Sequence, residues 1–304
     1  MVDMSTTVGE TVLPSPVMTA SGTAGHGAEL ARYFDLSTIG AVVVKSLSIM
    51  AWKGNPGPRV VELPGAMMNS VGLQGPGVPG WIDGELPALQ ESGARVVASI
   101  WGRTVDEYRQ AAEALVEVQD SLTAVEINVS CPNIEDRRKM FAHSCESAAM
   151  VIHATESLDV PRWAKLSPNV SDIAEIAGAA GEAGATAVTL TNTLLGLVLD
   201  PATGRPVLGG GGGGVSGPAM RAVALRAVFD VAAAHPTLPI LGVGGIAHAQ
   251  DAVQYLRAGA SAVQVGTATF ENPRSAARIS EDLKTWCQQA GIDRVSDLIG
   301  TAHH

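Results

Sequence analysis

Short runs of Val, Ile, Leu and Ala recur along the chain, and stretches with the apolar spacing of helices lie between them. Such runs are typical of parallel strands that are buried on both faces. The pattern predicts eight strands, at residues 16–20, 41–45, 95–100, 124–129, 162–166, 186–191, 239–243 and 261–266. The clearest helices are predicted at 104–118, 171–183, 218–234 and 247–258, with start signals at Thr104, Ser171 and Pro218.

The alternation of strands and helices determines the predicted architecture. It indicates the α/β class and a single (β/α)8 TIM barrel over residues 1–304, with the active site at the C-terminal ends of the strands. An open doubly wound sheet is the alternative, because GVGGIA at 242–247 follows a strand and opens a helix. No acidic residue stands about 20 positions later to bind a ribose, which argues against a dinucleotide site. The 46–80 connection is too long for an ordinary turn, so we expect it to be a functional cover.

Composition and charge narrow the class of protein. The net charge is -10 and no basic cluster offsets it, which argues against a nucleic-acid or anionic-membrane partner. No apolar run is long enough to span a bilayer and the N-terminus has no signal-peptide pattern, so we expect a cytoplasmic protein. Three cysteines are too few for a disulfide framework, and we expect no metal or iron–sulfur site in this chain.

Polar and very small residues follow the predicted strands. Lys45 and Lys165 stand where an unpaired charge would be costly, which indicates an anionic ligand, although either side chain could instead extend to solvent. Two glycine turns, Gly244-Gly245 and Gly266-Thr267, come after the last two strands and precede helices. Backbone N–H groups in such turns bind phosphate, although glycines are also used simply to make tight turns.

Cys131 is the candidate for chemistry because it follows a strand in the sequence EINVSCPN, among hydrogen-bonding residues. A thiol there could serve as a nucleophile or as a general base. A Cys–His pair with His143 is a weaker possibility, because that histidine lies in a predicted loop. Cys145 and Cys287 fall in helical patterns and are interpreted as buried small apolar residues.

Several segments, taken together, resemble the class 1 dihydroorotate dehydrogenases. They are VVVKS (42–46), PGAMMNSVGLQGPG (64–77), INVSCPN (127–133), WAKLSPN (163–169), TLTNT (189–193), VSGPA (215–219) and GVGGI (242–246). The resemblance runs in order from about residue 13 to residue 272. LVLDPATGRPVL (197–208) followed by GGVSGPA (213–219) is similar to the B subtype, whose catalytic barrel works beside a separate electron-transfer subunit.

The resemblance implies an FMN-binding barrel that oxidises dihydroorotate to orotate in pyrimidine synthesis. Cys131, in a catalytic loop at 131–144, would remove the C5 proton while hydride passes from C6 to flavin N5. The implied substrate-binding residues are Lys45, Asn69, Asn128, Asn133, Asn192 and Thr193. The implied cofactor-binding residues are Ala20, Ser21, Lys45, Ser46, Ser99, Asn128, Lys165, Thr191, Gly217, Gly244, Gly245, Gly266 and Thr267. It also implies a homodimer core and a partner subunit that carries FAD and an iron–sulfur cluster and passes electrons to NAD.

Three departures from the family pattern keep alternatives open. Ser99 stands where asparagine is common, the 134–144 loop is more charged than usual, and six glycines occupy 209–214. We interpret the glycine run as a flexible surface loop. The alternatives are a fumarate-reducing A-subtype homodimer, a related FMN-dependent dihydropyrimidine oxidoreductase, a Schiff-base aldolase that uses Lys165, and a noncatalytic flavin-binding module.

Overall fold

Eight parallel strands form the centre of the computed structural model, in which residues 2–130 and 140–303 are described. In chain order they are Val17–Thr19, Val42–Val43, Val96–Ile100, Ala124–Asn128, Arg162–Leu166, Ala187–Leu190, Ile240–Val243 and Ala262–Val265. Each strand lies within one of the predicted apolar runs. The residues of most strands are buried throughout, as expected for strands covered on both faces.

The eight strands close into a barrel. Consecutive strands from the second to the sixth pair in parallel, the sixth pairs with the seventh, the seventh with the eighth, and the eighth with the first. The first and second strands are joined by backbone hydrogen bonds from Gly40 N to Val17 O (2.7 Å) and from Thr19 N to Ala41 O (3.2 Å). The predicted (β/α)8 barrel is therefore confirmed, and the doubly wound alternative is excluded.

Helices surround the barrel. The α-helices of the described residues are α1 (Gly77–Gly84), α2 (Leu86–Glu91), α3 (Val105–Leu115), α4 (Cys145–His153), α5 (Ile173–Glu182), α6 (Arg221–Ala234), α7 (Ala249–Arg257), α8 (Ala268–Glu271) and α9 (Ser275–Gln289). Short 3-10 helices span Glu29–Arg32, Leu36–Thr38, Val116–Ser121, Phe141–His143, Pro218–Met220, Val295–Leu298 and Thr301–His303. None of the helices in the described ranges is long and apolar enough to cross a membrane.

The predicted helix starts are correct to within a few residues. Thr104 caps α3 as predicted, because its side chain accepts a hydrogen bond from Glu107 N. Ser171 was the wrong residue for the next cap, since the carboxylate of Asp172 accepts from the backbone N–H groups of Ala174 and Glu175. A carboxylate at this position also favours the positive end of the helix dipole.

The N-terminal end of the barrel is filled by apolar side chains. A hairpin of strands Thr6–Val8 and Thr11–Leu13 packs against this end. Its Val8 and Leu13 join an apolar cluster with one or more residues from each barrel strand: Met18, Ala41, Val43, Val97, Ala124, Trp163, Ala187, Leu241 and Ala262. This apolar layer fills the N-terminal end, so any ligand site in the barrel must lie at the opposite end.

A second sheet is built from two connections that leave the C-terminal ends of barrel strands. Its four antiparallel strands are, in spatial order, Leu194–Gly196, Gly213–Ser216, Ala66–Asn69 and Val60–Leu63. The last two belong to the 46–80 connection, and the first two follow the sixth barrel strand. The long connection thus contributes two strands to this sheet and holds Asn69 in one of them.

The interpretation of the six-glycine run as a surface loop is wrong for its last two residues, whereas 209–212 lie outside the strands. Gly213 and Gly214 are part of the strand Gly213–Ser216. A Cβ atom would collide with Pro56 O at Gly209, with the Ser70 hydroxyl at Gly210, with Asn69 O at Gly213 and with the Thr193 hydroxyl at Gly214. The run is glycine-rich because four of its positions lie directly against other chain segments.

Candidate active site

A polar layer lies above the apolar layer inside the barrel. Side chains at alternate positions of a strand share a face, so residues two positions after the apolar layer also point inward. These residues include Ser99, Glu126, Lys165, Thr189 and Gln264, all buried. The centre of the layer is Glu126, whose side chain is fully buried.

Four side chains donate hydrogen bonds to the Glu126 carboxylate. Oε1 accepts from Lys165 Nζ (3.3 Å) and Ser99 Oγ (3.4 Å). Oε2 accepts from Thr189 Oγ1 (3.2 Å) and Gln264 Nε2 (2.9 Å). Lys165 alone therefore does not indicate an anionic ligand, because the protein itself supplies an opposite charge.

A chain of hydroxyl and amide groups extends from this layer toward the C-terminal end of the barrel. Ser99 Oγ lies 2.9 Å from Ser46 Oγ, which lies 3.2 Å from Ser21 Oγ. Asn128 Nδ2 donates to Ser46 Oγ at 3.4 Å, and Asn192 Nδ2 donates to Asn128 Oδ1 at 3.1 Å. Five residues predicted for substrate or cofactor from five different strand ends are therefore joined in one network.

Thr191 carries a buried polar atom that has no partner among the described residues. Its Oγ1 is inaccessible to solvent and makes no hydrogen bond there. Thr191 follows directly after the sixth barrel strand, at its C-terminal end. A buried hydroxyl without a partner costs about 1–3 kcal/mol, so a bound group that supplies a hydrogen bond here would relieve that cost.

Three glycine turns meet at the same end of the barrel. An added Cβ at Gly245 would lie 2.7 Å from Arg221 Cβ and 2.9 Å from Gly217 O, so only glycine permits this close approach. Gly217, Gly244 and Gly245 also have positive φ angles of 93°, 142° and 66°. Thr267 Oγ1 donates to Ser216 Oγ at 2.8 Å, which joins the turn after the eighth strand to the same group.

The sequence had indicated that the N–H donors at these turns belong to the first turn of a helix. In the structure they are N–H groups of the loops that precede the helices. α7 begins at Ala249, and the N–H groups of Ala247 and His248 before it are bonded to the Asp251 carboxylate at 3.0 Å. By contrast, the N–H groups of Gly244, Gly245, Gly266 and Thr267 make no hydrogen bond to a described residue. Free N–H groups and glycine backbone fit a phosphate-bearing ligand.

The second sheet brings further predicted residues to the network. Asn69 Nδ2 donates to Gly214 O at 3.4 Å. Gly214 abuts the Thr193 side chain, and Thr193 N donates to Asn192 Oδ1 at 2.8 Å. The pairing of two distant connections therefore places Asn69 beside Asn192 and Thr193, as the predicted substrate site requires.

Lys45 lies beside a cavity of about 640 Å³. The other lining residues are His26, Ala51, Trp52, Lys53, Gln74, Gly75 and Pro76. Burial, and secondarily the nearby Arg59 guanidinium, lowers the pKa of Lys45. Burial, and secondarily the charge of Lys45, lowers the pKa of His26. No carboxylate of the described residues lies within 4.0 Å of the Lys45 ammonium, so an anion bound here would supply the missing opposite charge.

Comparison with known proteins gives one consistent family. The sequence profile of the dihydroorotate dehydrogenase family matches residues 3–286. A protein of Trichlorobacter lovleyi named "Dihydroorotate dehydrogenase B (NAD(+)), catalytic subunit" is 44% identical over 298 residues, 98% of this chain and 97% of the relative. Proteins with the same name from Geotalea uraniireducens and Desulforudis audaxviator are 44% and 45% identical, over 98% and 96% of this chain and 97% and 94% of their own length. The chain belongs to the dihydroorotate dehydrogenase family.

Two predicted residues of this dihydroorotate dehydrogenase family member, Cys131 and Asn133, lie outside the described residues. Of the predicted 131–144 loop only residues 140–144 are described: Phe141 and Ala142 are buried, and Ser144 caps α4. Cys287 is buried as predicted, whereas Cys145 is only partly buried at the start of α4. Burial raises the pKa of both thiols.

Sequence reasoning missed Glu126, Gln264 and His26. A signal for Glu126 was present, because an acidic residue in an otherwise apolar strand, two positions before Asn128, must share the inward face with that residue. Gln264 has the same signal in the eighth strand. His26 had none, since it lies in an irregular connection whose path the sequence pattern does not reveal.

Proposed function

We propose that this chain is the catalytic subunit of a B-type dihydroorotate dehydrogenase, which oxidises (S)-dihydroorotate to orotate in de novo pyrimidine synthesis. The observation that carries this proposal is the grouping of Asn69, Asn128, Asn192 and Thr193 at one end of the barrel, with Lys45 just after the second barrel strand. Amides and an ammonium are the donors that a carboxylated dihydropyrimidine ring requires. The names and near-complete coverage of the relatives support the same activity.

The residues present fit a flavin, and we assign FMN. Gly217, Gly244, Gly245, Gly266 and Thr267 would bind its phosphate through loop N–H groups. The ring side would be bound by Ala20, Ser21, Lys45, Ser46, Ser99, Asn128, Lys165 and Thr191. The buried Thr191 hydroxyl has no partner among the described residues, which supports this assignment. When bound, FMN accepts at N5 the hydride that leaves C6 of the substrate.

The chain's own residues bind the substrate and move its proton. Lys45 pairs with the substrate carboxylate, while Asn69, Asn128, Asn133, Asn192 and Thr193 hydrogen-bond to the carboxylate and the ring. Cys131 removes the C5 proton, so that the C5–H electron pair forms the new double bond as hydride departs from C6. The strand ends hold these groups in position, and this orientation contributes to the rate of the reaction. The polar side chains stabilise the charge that develops as the proton and hydride leave the substrate.

The electrons leave through a partner. With three cysteines in its whole sequence, the chain cannot supply the four ligands that an iron–sulfur cluster uses. We assign the FAD and the cluster to a separate subunit that docks on a homodimer of this chain and reduces NAD. The words "catalytic subunit" in the relatives' names support the existence of a partner for those proteins.

Anaerobic mixing tests cofactor, substrate and reaction together. The purified chain, loaded with FMN, is mixed with dihydroorotate without oxygen, and the flavin absorbance is followed while orotate is measured. We expect bleaching with one orotate formed per flavin. Dihydrouracil, which lacks the carboxylate, is the control and should bleach the flavin far more slowly. Absence of FMN binding, or equal bleaching by the two compounds, would contradict the proposal.

A further inference from the structure

Glu126 is a fully buried carboxylate for which the proposed reaction has no direct use. It lies one layer below Asn128 on the same strand, and it reaches the cofactor side only through other residues. Its Oε1 faces Lys165 and Ser99, and its Oε2 faces Thr189 and Gln264. Four donors from four different strands hydrogen-bond to it, so the surrounding strands hold the Glu126 carboxylate in one position.

We propose that Glu126 is a positioning residue that anchors the Lys165 ammonium and offsets its charge, and thereby holds down the reduction potential of the flavin. The inference rests on the proposed function, because Lys165 is assigned there to the flavin. Reduction places negative charge on the flavin, which a nearby ammonium favours. A carboxylate 3.3 Å from the same ammonium opposes that effect.

The burial of both groups makes this offset large enough to measure. The Lys165 side chain is 7% exposed and the Glu126 side chain is not exposed at all. Salt and water therefore screen the pair only weakly. Removal of one partner of a buried pair leaves an uncompensated charge, which is strongly unfavourable, whereas removal of both is tolerated much better.

Ser99 extends the influence of Glu126 to the rest of the site. Its hydroxyl lies between Glu126 Oε1 (3.4 Å) and Ser46 Oγ (2.9 Å). Ser46 is in turn bonded to Ser21 and Asn128. The family commonly has asparagine at the position of Ser99. The serine hydroxyl links Glu126 by hydrogen bonds to residues assigned to the cofactor and the substrate.

The direct test is the reduction potential of FMN bound to Glu126→Gln. The amide retains an oxygen that can accept from Lys165 but has no charge, so the site becomes more positive. We expect the ratio of reduced to oxidised FMN affinity to rise about tenfold, which is about 30 mV for a two-electron couple. Thr189→Val is the matched control, since it removes an uncharged donor from the same carboxylate, and its potential should change by less than about 10 mV.

A double-mutant cycle gives a second readout that does not depend on flavin. Lys165→Met leaves the buried carboxylate uncompensated, so we expect a large fall in the Tm of the flavin-free protein, and Lys165→Met with Glu126→Gln should recover most of it. An unchanged or lowered potential in Glu126→Gln, or equal Tm values for the single Lys165→Met and double variants, would overturn the inference. Failure of the wild-type chain to bind FMN would instead contradict the proposed function.

Discussion

At the scale of single residues, the two lysines of the site have opposite electrostatic surroundings. Lys165 has a carboxylate partner in the protein, whereas Lys45 has none among the residues described and lies near Arg59. Burial and that guanidinium both disfavour the charged form of Lys45, which explains its lowered pKa. An anionic substrate would favour the charged form, so binding and protonation of Lys45 should be coupled.

The affinity for orotate should therefore fall as pH rises through the lowered pKa of Lys45. Because this pKa is below the ordinary value of 10.5, the loss should begin at a lower pH than for an exposed lysine. Orotate titrations of the FMN-loaded protein, followed by flavin absorbance, measure this without turnover. Lys45→Arg keeps its charge over the whole range and should move the loss to higher pH. The same alkaline profile in both proteins would contradict the assignment of Lys45 to the substrate.

Cys131 can be tested against Cys145, which is partly buried at the start of α4. Cys131→Ala removes the proposed base, so we expect turnover to fall about 10²–10⁴-fold while FMN still binds. Cys145→Ala should retain activity close to that of the wild type. Steady-state kinetics with an artificial dye, together with flavin content, measure both. A greater loss of turnover in Cys145→Ala than in Cys131→Ala would show that the base was assigned to the wrong residue.

The site residues that the sequence predicted share one property: they lie at or just after strand ends, where an apolar run gives way to polar or small residues. Ser46, Asn128 and Asn192 were identifiable in this way, and the structure joins them by hydrogen bonds. Glu126 was overlooked because it lies inside a run that was read for its apolar residues only. The pairing of Lys165 with it depends on the barrel register, which no local pattern records.

At the scale of elements, the glycine-rich strand Gly213–Ser216 connects fold and site. Gly214 pairs with Asn69 on one side and Leu195 on the other, and it leaves room for the Thr193 side chain. A strand of glycines is weak by itself, because glycine loses much conformational freedom and offers no side chain to pack. Here the absence of side chains permits the close approach of Asn69 and Thr193, which we propose to bind substrate.

Gly214→Ala should weaken substrate binding specifically. The added methyl group would displace Thr193, and loss of one hydrogen bond to the substrate corresponds to an increase in KM of about tenfold. FMN affinity should stay close to that of the wild type. Gly211→Ala is the control, because nothing lies within 4 Å of its Cβ position and its φ of +85° should lower only the Tm. Equal KM values for the two variants would argue against this role of the strand.

The N-terminal hairpin should contribute to stability and not to chemistry. Leu13 is fully buried in the apolar layer at the closed end, whereas Val12 beside it is 68% exposed. Leu13→Ala should lower the free energy of unfolding by about 2–5 kcal/mol, and Val12→Ala by less than about 0.5 kcal/mol. Urea unfolding of the two variants measures the difference. A change in KM for dihydroorotate in Leu13→Ala would mean that the two ends of the barrel are coupled.

At the scale of the whole molecule, the barrel was predictable from the sequence and the strand pairing of the second sheet was not. Parallel strands buried on both faces appear in sequence as separate apolar runs, and each of the eight was found in this way. The second sheet pairs Ala66–Asn69 with Gly213–Ser216, which are far apart in the chain. Its strands Leu194–Gly196 and Gly213–Ser216 lack the apolar alternation that marks a strand, and glycines carry no side-chain pattern at all.

The purified chain by itself should pass electrons from dihydroorotate to an artificial dye but not to NAD. Dye reduction requires only access to the reduced flavin, whereas the proposed route to NAD needs an FAD and an iron–sulfur cluster that the three cysteines cannot ligate. Initial-rate assays with each acceptor, at matched enzyme and substrate concentrations, measure the rates of dye reduction and of NAD reduction. Addition of the electron-transfer subunit of a B-type relative should restore NAD reduction without raising the dye rate. NAD reduction by the isolated chain at a rate near that of the dye would refute the need for a partner, because the flavin would then be transferring hydride directly to the nucleotide.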